Sequence, residues 1–296
     1  MNTTVSVPAT SANLGPGFDC LGLALGLYNS VTFTPASAPG VHTTAAGVDA
    51  DKIPTGADNL VATALEAVRA RVGARPFNLH VHQQNQIPVG SGLGSSAAAI
   101  VAGLLGGNRL LGSPLTRAEL LEMAVALEGH PDNVAPALYG NLVLAVAHAG
   151  GLHVEPIGLP PLRVAVVLPD FALATSAARA ALPRQVSLAD AVFNAGRTPL
   201  VVRALETADY AKLRIAMQDR LHQPYRIPLV PGLAKAFEAA TAAGAAAVAL
   251  SGAGPSLIAF AATGHAQIAT AVQNAFAAAG YASRHWILPI DTAGAR

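Results

Sequence analysis

Charged residues, lysine and cysteine are scarce in this sequence. Only 12% of its 296 residues are charged, whereas an average soluble domain has about 25%. Cys20 is the single cysteine, which excludes an intrachain disulfide framework and leaves too few thiolates for a zinc-ribbon or iron–sulfur site. The chain is rich in alanine, and lysine is rare among its 18 basic residues, a bias that we attribute to genome-wide composition.

The charge balance excludes a further class of function. The chain has 18 basic and 17 acidic side chains, a formal net charge of +1. A protein that binds nucleic acid through a basic face needs clustered Lys and Arg to displace counterions, so we expect no nucleic-acid partner. Residues 1–8 have neither the basic nor the apolar region of a secretory signal, and we therefore expect a reducing, cytoplasmic location.

Long apolar runs without glycine or proline are also absent. Hydrophobic residues make up 52% of the chain, and the uncharged stretch 239–264 is long enough to span a bilayer. Gly244, Gly252 and Pro255 interrupt this stretch where lipid would leave backbone groups unsatisfied. We therefore expect a soluble protein that does not interact with membranes.

The order of hydrophobic patterns predicts an α+β protein with helices on one face of a sheet. Alternating apolar residues indicate strands, and apolar residues three or four apart indicate helices. The pattern restarts after Gly150-Gly151, so we predict two lobes, residues 1–155 and 156–296. The predicted strands are 4–8, 21–27, 29–34, 77–83, 141–147, 162–168, 247–250, 257–260 and 284–287; the predicted helices are 58–71, 95–111, 116–127, 188–205, 211–220, 233–243 and 265–279.

Local signals place two helix starts and one turn. Asp58 is the predicted N-cap of the first helix. Thr116 and Glu119 have the spacing of a capping box. Residues 11–18 include a Gly-Pro-Gly sequence and are predicted to form a turn.

A glycine-rich segment gives the strongest functional signal. It reads P-V-G-S-G-L-G-S-S-A-A, with glycine at alternate positions before a predicted helix. Glycine removes side chains that would keep a ligand from the backbone, and a helix N-terminus favours anions by about 0.3–1 kcal/mol. The segment predicts a phosphate-binding loop, with a flexible, serine-capped loop as the alternative. Its assigned nucleotide-binding residues are Pro88, Val89, Gly90, Ser91, Gly92, Leu93, Gly94, Ser95, Ser96, Ala97 and Ala98.

The common nucleotide-binding motifs are absent. No Gly-Lys-Ser/Thr of a Walker A loop and no His-Arg-Asp of a protein kinase occur, and Asp170-Phe171 is followed by Ala172 instead of glycine. The spacing G-x-G-x-G-S-S also differs from the Rossmann fingerprint. The nucleotide is therefore expected to bind in a different architecture, for which Asn59, Leu60 and Val61 are loose nucleobase candidates.

Two groups of polar residues complement the loop. Asn13 and Asp19 flank the Gly-Pro-Gly turn and would present an amide and a carboxylate to an ammonium or hydroxyl, with charge-assisted bonds of about 1.5–3 kcal/mol each; alternatively, both brace the turn. Glu128 lies just past a predicted helix. Magnesium prefers carboxylate and phosphate oxygens, so Ser96 and Glu128 are the predicted metal pair.

Three segments together resemble the motifs of the GHMP kinases: P-A-T-S-A-N-L-G-P-G-F-D-C-L-G at 8–22, the glycine-serine loop, and L-S-G-A-G-P-S at 250–256. Within that superfamily, the first segment and H-P-D-N-V-A-P-A at 130–137 are similar to the homoserine kinases. The resemblance implies a two-lobed GHMP kinase fold, with an N-terminal lobe like ribosomal protein S5 domain 2 and a ferredoxin-like C-terminal lobe. It also implies a homodimer.

The resemblance implies a reaction as well. ATP would phosphorylate the side-chain hydroxyl of L-homoserine, one step before threonine synthase, with Mg²⁺ as cofactor. The residues implied in catalysis are Asn13, Asp19, Asn133 and Arg179. The residues implied in substrate binding are Asn13, Asp19, His130, Asp132, Asn133, Thr175, Arg179, Arg226 and Gly254.

Alternatives for single residues remain open at this point. Arg179 and Arg226 would grip a carboxylate bidentately, although either alone would be an ordinary surface residue. His130 could instead cap the C-terminus of the preceding helix. We expect Asp132 not to be essential as a base, because phosphoryl transfer depends mostly on positioning and charge neutralisation.

Two other functions compete with the implied one. Another small-alcohol GHMP kinase, of the mevalonate or diphosphocytidyl-methylerythritol type, would share the fold. Those substrates lack an α-ammonium, so Asn13 and Asp19 beside two arginines argue against them. A non-catalytic ligand sensor would be expected to have lost Ser96 or Glu128, and both are present.

Overall fold

The computed structural model describes residues 2–296, and these residues form two β-sheets with flanking helices. This confirms the prediction of an α+β fold. The strands are β1 Thr3–Ala12, β2 Leu21–Pro35, β3 Gly40–Gly47, β4 Asn78–Asn85, β5 Leu142–His148, β6 Gly151–Ile157, β7 Arg163–Pro169, β8 Ala247–Leu250, β9 Leu257–Phe260 and β10 Ser283–Pro289. The α-helices are α1 Leu60–Val72, α2 Ser95–Leu110, α3 Arg117–Glu128, α4 Pro131–Tyr139, α5 Thr175–Ala180, α6 Leu188–Glu206, α7 Tyr210–Ala216, α8 Gln223–Arg226, α9 Leu233–Ala242 and α10 His265–Ala278.

The first sheet carries the glycine-rich segment, which follows β4. Its strand order is β3-β4-β2-β5-β6, and β1 pairs with β2 beside this path. The pairings are antiparallel except for that of β3 with β4, which is parallel. Helices α2 and α4 pack on β1 and β2, and Phe33, Leu104 and Val134 are buried in the core between them. The first turn of α2 is thereby fixed beside the end of β1.

The second sheet lies between two apolar layers. Its strand order is β10-β7-β9-β8, and all of its pairings are antiparallel. Successive side chains of a strand point to opposite faces, and in β7 Val164 and Val166 join the first core while Ala165 and Val167 join a second core with α9 and α10. Because the two sheets share the first core, they are held together by apolar packing.

The lobe boundary at residues 155/156 stays a prediction. The chain leaves the first sheet at the end of β6 and enters the second at the start of β7. Among residues 2–296, no helix combines the length and apolarity that a bilayer crossing requires.

The segment 21–34 differs from its prediction. The sequence predicts two strands, 21–27 and 29–34, whereas the structure has one strand, β2. Its pairing with β1 shifts register between Pro8 and Ala9, whose partners are Tyr28 and Leu25. The two unmatched residues form a bulge, so the break in the apolar alternation is a change of register within one strand.

The predicted helix starts had different outcomes. The N-cap of the first helix lies one residue later than predicted: it is Asn59, whose Oδ1 accepts from the N–H groups of Val61 and Ala62. The prediction of Asp58 was wrong. The Thr116–Glu119 capping box is confirmed.

Other elements went unpredicted or have different bounds. Strands β3 and β6 and helices α4, α5 and α8 were not predicted. Helix α4 contains Pro136, and proline inside a pattern argues against a helix. The predicted helix 211–220 ends at Ala216. The predicted turn 11–18 begins later, because β1 continues to Ala12.

Candidate active site

The glycine-rich loop connects β4 to α2, and its three alternate glycines have different roles. All three have positive φ, 66° at Gly90, 79° at Gly92 and 70° at Gly94. A Cβ at Gly92 would overlap the Ser251 carbonyl, and one at Gly94 would overlap the Thr10 side chain, whereas Gly90 faces open space. Only Gly90 therefore clears space for a ligand directly. The other two allow close packing of neighbouring segments.

The first turn of α2 is open to an anion. Gly94 is its N-cap and supplies no side-chain hydrogen bond. The first N–H groups of a helix have no partner within the helix, and the helix dipole adds a partial positive charge there. Gly94, Ser95 and Ser96 line a cavity of about 350 Å³, so these donors lie beside a space that phosphate could occupy.

Ser96 and Glu128 meet at the same end of the cavity. Ser96 Oγ donates a 2.6 Å hydrogen bond to Glu128 Oε2, although the residues belong to different helices. A hydroxyl and a carboxylate are hard oxygen ligands of the kind that Mg²⁺ prefers, alongside phosphate oxygens. The donor set therefore fits the predicted magnesium pair, and no group of three or more His, Cys, Asp or Glu side chains within residues 2–296 could hold a metal by itself.

Asn13 joins the turn after β1 to a second glycine loop, residues 251–256 between β8 and β9. Its Nδ2 donates to the Gly252 carbonyl at 2.9 Å, and its Oδ1 accepts from the Asp19 N–H at 3.0 Å. Asn13 and Asp19 both have positive φ, 72° and 57°, a conformation that Asn and Asp tolerate better than most residues. The interpretation that Asn13 braces the turn is confirmed, and the same residue also lines the cavity.

Asp19 and Arg179 bind each other across the cavity. The Arg179 guanidinium donates to both carboxylate oxygens, at 2.9 and 3.0 Å. This bond raises the pKa of Arg179. The sequence analysis assigned Asp19 to the ammonium and Arg179 to the carboxylate of an amino-acid substrate. In the structure, the two side chains form an ion pair with each other.

Arg226 is buried without a carboxylate partner. Its side chain is 2% exposed, and within residues 2–296 it makes no ion pair; its hydrogen bonds to Ala178, His222 and Gly252 are 3.3 to 3.5 Å long. Burial lowers the pKa of Arg226, and the positive charge of Arg179 adds to this effect. A buried unpaired guanidinium is costly, so this one is suited to receive an anion.

Phe18 and His222, which sequence reasoning missed, hold the two arginines in place. The guanidinium carbons of Arg226 and Arg179 lie 5.1 and 5.7 Å from the centre of the Phe18 ring, within cation–π range. The buried His222 ring stacks on Phe18, bonds the Gly15 carbonyl through Nε2 at 2.8 Å and faces Arg226 through Nδ1. An aromatic residue inside the turn motif is the only sequence signal for this arrangement.

His130, Asp132 and Asn133 form one network at the start of α4. His130 is the N-cap residue of α4 and Gly129 is the C-cap of α3, so the idea that His130 caps the end of α3 was wrong. His130 Nδ1 donates to the buried Asp132 carboxylate at 2.9 Å, which raises the pKa of His130. Asn133 accepts from Thr10 Oγ1 at 2.8 Å.

The structure brings the predicted substrate and metal residues into one cavity. Besides the glycine-rich loop, its walls include Leu127, which was not predicted, Gly252 and Ala253, which the sequence assigns to a second loop at the substrate pocket, and all of the following predicted residues: Asn13, Asp19, Ser96, Glu128, His130, Asp132, Asn133, Thr175, Arg179, Arg226 and Gly254. Thr175 is the first residue of α5 and Gly254 belongs to the second glycine loop.

Some predicted nucleotide residues lie outside this cavity. Pro88, Leu93 and Ala97 are buried and line neither this cavity nor its neighbour. Leu93 and Ala97 instead pack in the first core. The side chains of Leu93 and Ala97 therefore anchor the loop in the core, and any contact of these residues with nucleotide would come from their backbone.

A second, more apolar cavity of about 150 Å³ adjoins the phosphate loop. It shares Gly90, Ser95 and Ser96 with the first cavity and also contacts Val89 and Ala98. The loose nucleobase candidates Asn59 and Leu60 line it, whereas Val61 is buried in the core and does not. The sequence analysis missed three buried amides in its wall, Asn29, Gln83 and Asn85. Polar residues at inward-facing strand positions could have revealed them.

Comparisons with known proteins identify the family of the chain. Family models match residues 59–141 (GHMP kinases N terminal domain) and 201–281 (GHMP kinases C terminal). The chain is 47% identical over 277 residues to homoserine kinase from Moorella thermoacetica, covering 93% of each chain. It is 46% identical over 296 residues to homoserine kinase from Synechocystis sp., covering 99% of this chain and 97% of the relative.

Solved structures give the same result. Homoserine kinase from Cytophaga hutchinsonii superposes with a TM-score of 0.91 at 32% identity, covering 100% of this chain and 96% of the other. Mevalonate kinase from L. major, in complex with R-mevalonate, has a TM-score of 0.73 at 18% identity, covering 98% and 96%, a likeness of fold alone. The two-lobed fold, the phosphate loop and the relatives together show that this chain belongs to the homoserine kinase family of the GHMP kinases.

Proposed function

We propose that this enzyme transfers the γ-phosphoryl group of ATP to the side-chain hydroxyl of L-homoserine, giving O-phospho-L-homoserine for threonine biosynthesis. The observation that carries the proposal is the buried, unpaired Arg226 guanidinium in the same cavity as the phosphate loop. One end of the cavity suits phosphate and the other suits a carboxylate.

The phosphate end uses backbone donors and two side chains. The open first turn of α2 would receive the triphosphate, with Gly90 allowing close approach. Ser96 and Glu128 would hold Mg²⁺ in place of their mutual hydrogen bond. The ion, when bound, would neutralise charge on the phosphate oxygens. The adjoining apolar cavity would take the nucleobase.

The amino-acid end would bind a zwitterion. Arg226 would take the α-carboxylate, for which a guanidinium offers two parallel donors. The α-ammonium would take the place of the Arg179 guanidinium on Asp19, since both are cations that suit the same carboxylate. Arg179 would then be free to face the substrate carboxylate or the transferred phosphoryl group.

No strong base is required for the transfer. The homoserine oxygen forms a bond to the γ-phosphorus while the bond from that phosphorus to the β,γ-bridging oxygen breaks, and ADP leaves. In a loose transition state the hydroxyl proton is lost late and passes to a phosphoryl oxygen or to water, so positioning dominates. Asp132 is engaged by His130 and Asn133, which supports the expectation that it is not an essential base.

The homodimer and the cytoplasmic location stay predictions. Sedimentation of the purified protein would measure the oligomeric state.

A substrate panel tests the proposed function. Purified protein with ATP and Mg²⁺ is expected to phosphorylate L-homoserine and to leave mevalonate and diphosphocytidyl-methylerythritol unchanged, because only homoserine carries both an ammonium and a carboxylate. Turnover of mevalonate without turnover of homoserine would contradict the proposal. Binding of homoserine without any turnover would favour the sensor.

A further inference from the structure

The inward face of β4 changes from apolar to polar along the strand. Leu79 and Val81 point into the hydrophobic core, and Gln83 and Asn85 follow at the next inward positions. The buried face of a strand is normally apolar, because a buried amide loses its hydrogen bonds to water. A buried glutamine at this position therefore calls for a partner.

The Gln83 side chain has no hydrogen-bond partner among residues 2–296. Its side chain is 4% exposed, and its Nε2 is enclosed without a hydrogen bond to any residue in 2–296. Two of the neighbouring amides are in use: Asn29 Oδ1 accepts from two backbone N–H groups, and Asn59 caps α1 while donating to the Pro54 carbonyl. Buried polar groups without a partner are rare, and each needs an explanation.

The position of Gln83 in the fold supplies an explanation for its unpartnered amide. Gln83 lines the apolar cavity beside the phosphate loop, opposite Val31 of β2 and together with Leu60 and Ala98. The same cavity reaches Ser95 at the start of α2. A flat aromatic ring attached to a phosphate chain in the loop would therefore lie between apolar walls, with one edge at the amide.

We propose that the Gln83 amide hydrogen-bonds the edge of the nucleobase and makes adenine the preferred base. A primary amide presents one donor and one acceptor side by side, which matches the 6-amino group of adenine and the ring nitrogen next to it. Guanine presents two acceptors on its O6/N7 edge, so one contact there becomes repulsive. Because the Gln83 amide is buried, water cannot compensate for the mismatch there. This inference rests on the nucleotide part of the proposed function.

Nucleotide binding without the amino acid tests the inference. Calorimetric titration of the full-length protein with ATP and with GTP, each with Mg²⁺, is expected to give ATP about 10- to 100-fold tighter binding. The Gln83→Leu variant removes the amide at similar volume. We expect ATP to bind it at least about 10-fold more weakly and the preference for ATP to fall to within about 3-fold.

The control is Gln84→Leu, because Gln84 is the neighbouring residue of β4 on the exposed face. We expect this control to keep the affinities of the unmodified protein. Should Gln83→Leu fold and retain the full preference for ATP over GTP, the inference is wrong. It is equally wrong if the variant changes only the melting temperature of the nucleotide-free protein, since that result would assign Gln83 a purely structural role.

Modified nucleotides test the unmodified protein, in case Gln83→Leu does not fold. ATP carrying two methyl groups on the 6-amino nitrogen should bind at least about 10-fold more weakly than ATP. Equal binding of this analogue would overturn the inference. Because homoserine is absent from every titration, failure here is separate from failure of homoserine phosphorylation.

Discussion

In the proposed function, the two ends of the active-site cavity would hold their ligands by different means. At the phosphate end, the donors are backbone N–H groups at the start of α2, fixed by packing of Gly92 and Gly94 against neighbouring segments. At the amino-acid end, the groups are charged side chains, and two of them, Asp19 and Arg179, pair with each other. The first end is fixed by packing of the backbone, whereas the second would exchange partners when the proposed substrate binds.

The largest expected effect comes from the rigid end. In Gly94→Ala, the left-handed conformation costs about 1–2 kcal/mol, and the added Cβ overlaps Thr10, which bonds Asn133. We expect kcat/KM to fall about 1,000-fold or more, since displaced backbone donors lose the stabilisation of developing negative charge. Steady-state kinetics measures this.

Gly112→Ala is the matched control for Gly94→Ala. Gly112 also has positive φ, 82°, but a Cβ there meets open space, and the residue lies outside the cavity. We expect a lower melting temperature with unchanged kcat/KM. Equal kinetic losses in the two variants would mean that glycine strain alone, and not the loop's packing, explains the effect.

A smaller effect is expected at the exchanging end. Asp19→Asn removes the acceptor for an ammonium and leaves Arg179 without its carboxylate partner. A hydrogen bond to a charged group contributes about 1.5–3 kcal/mol, so we expect KM for homoserine to rise about 10- to 100-fold while KM for ATP stays within about 2-fold. The control Asp190→Asn removes the carboxylate from the surface pair with Arg220 and should change neither. A similar rise in the KM for homoserine and the KM for ATP would contradict the assignment of Asp19 to the amino-acid end alone.

Sequence reasoning predicted the two ends unequally well. The phosphate loop is contiguous in sequence, so its glycines, serines and following helix could be identified directly. The Asp19–Arg179 pair joins residues 160 positions apart, and the place of Phe18 between two arginines depends on α5 and α8 packing beside the turn. Contacts of that kind depend on tertiary packing, which local patterns do not encode.

The dependence on tertiary packing also explains the errors in the fold prediction. Local propensity predicted the long helices well, and the capping box at Thr116 was confirmed. The bulge in β2 is set by pairing with β1, so the sequence pattern alone suggested a break between two strands. The proline-containing α4 is set by packing with distant segments, so the sequence pattern alone suggested no helix there. The residues given only through family resemblance, such as Thr175, had no local signal.

The variant Asp132→Asn tests whether Asp132, between the phosphate end and the amino-acid end of the cavity, acts as a general base. Asp132 is buried and accepts from His130, so the change weakens a positioning contact without removing a proton acceptor that the transfer needs. A general base is worth about 100- to 10,000-fold in rate, and we expect kcat to fall less than about 10-fold at every pH tested. Loss of several orders of magnitude in the pH–rate profile would show that Asp132 is the base after all.

The smallest effect is expected at Cys20, beside Asp19. Burial raises the pKa of this thiol to about 11, with Asp132 and Asp19 adding to the shift. Because the thiolate is the reactive form, a raised pKa means less thiolate at neutral pH, and reactivity appears only as pH approaches 11. We expect iodoacetamide at pH 8 to label Cys20 about 100-fold more slowly than free cysteine, and Cys20→Ala to keep kcat and KM. Rapid labelling at pH 8 would contradict this.

The most direct test removes the Arg226 guanidinium and the substrate carboxylate in turn. Arg226→Gln and the unmodified enzyme are compared on L-homoserine and on 3-amino-1-propanol, which lacks the carboxylate, with melting temperature as the check on folding. For a buried carboxylate–guanidinium contact, we expect the variant to lose about 100- to 1,000-fold in kcat/KM on homoserine and less than about 3-fold on the amino alcohol. Equal losses on both substrates would show that Arg226 does not bind the carboxylate.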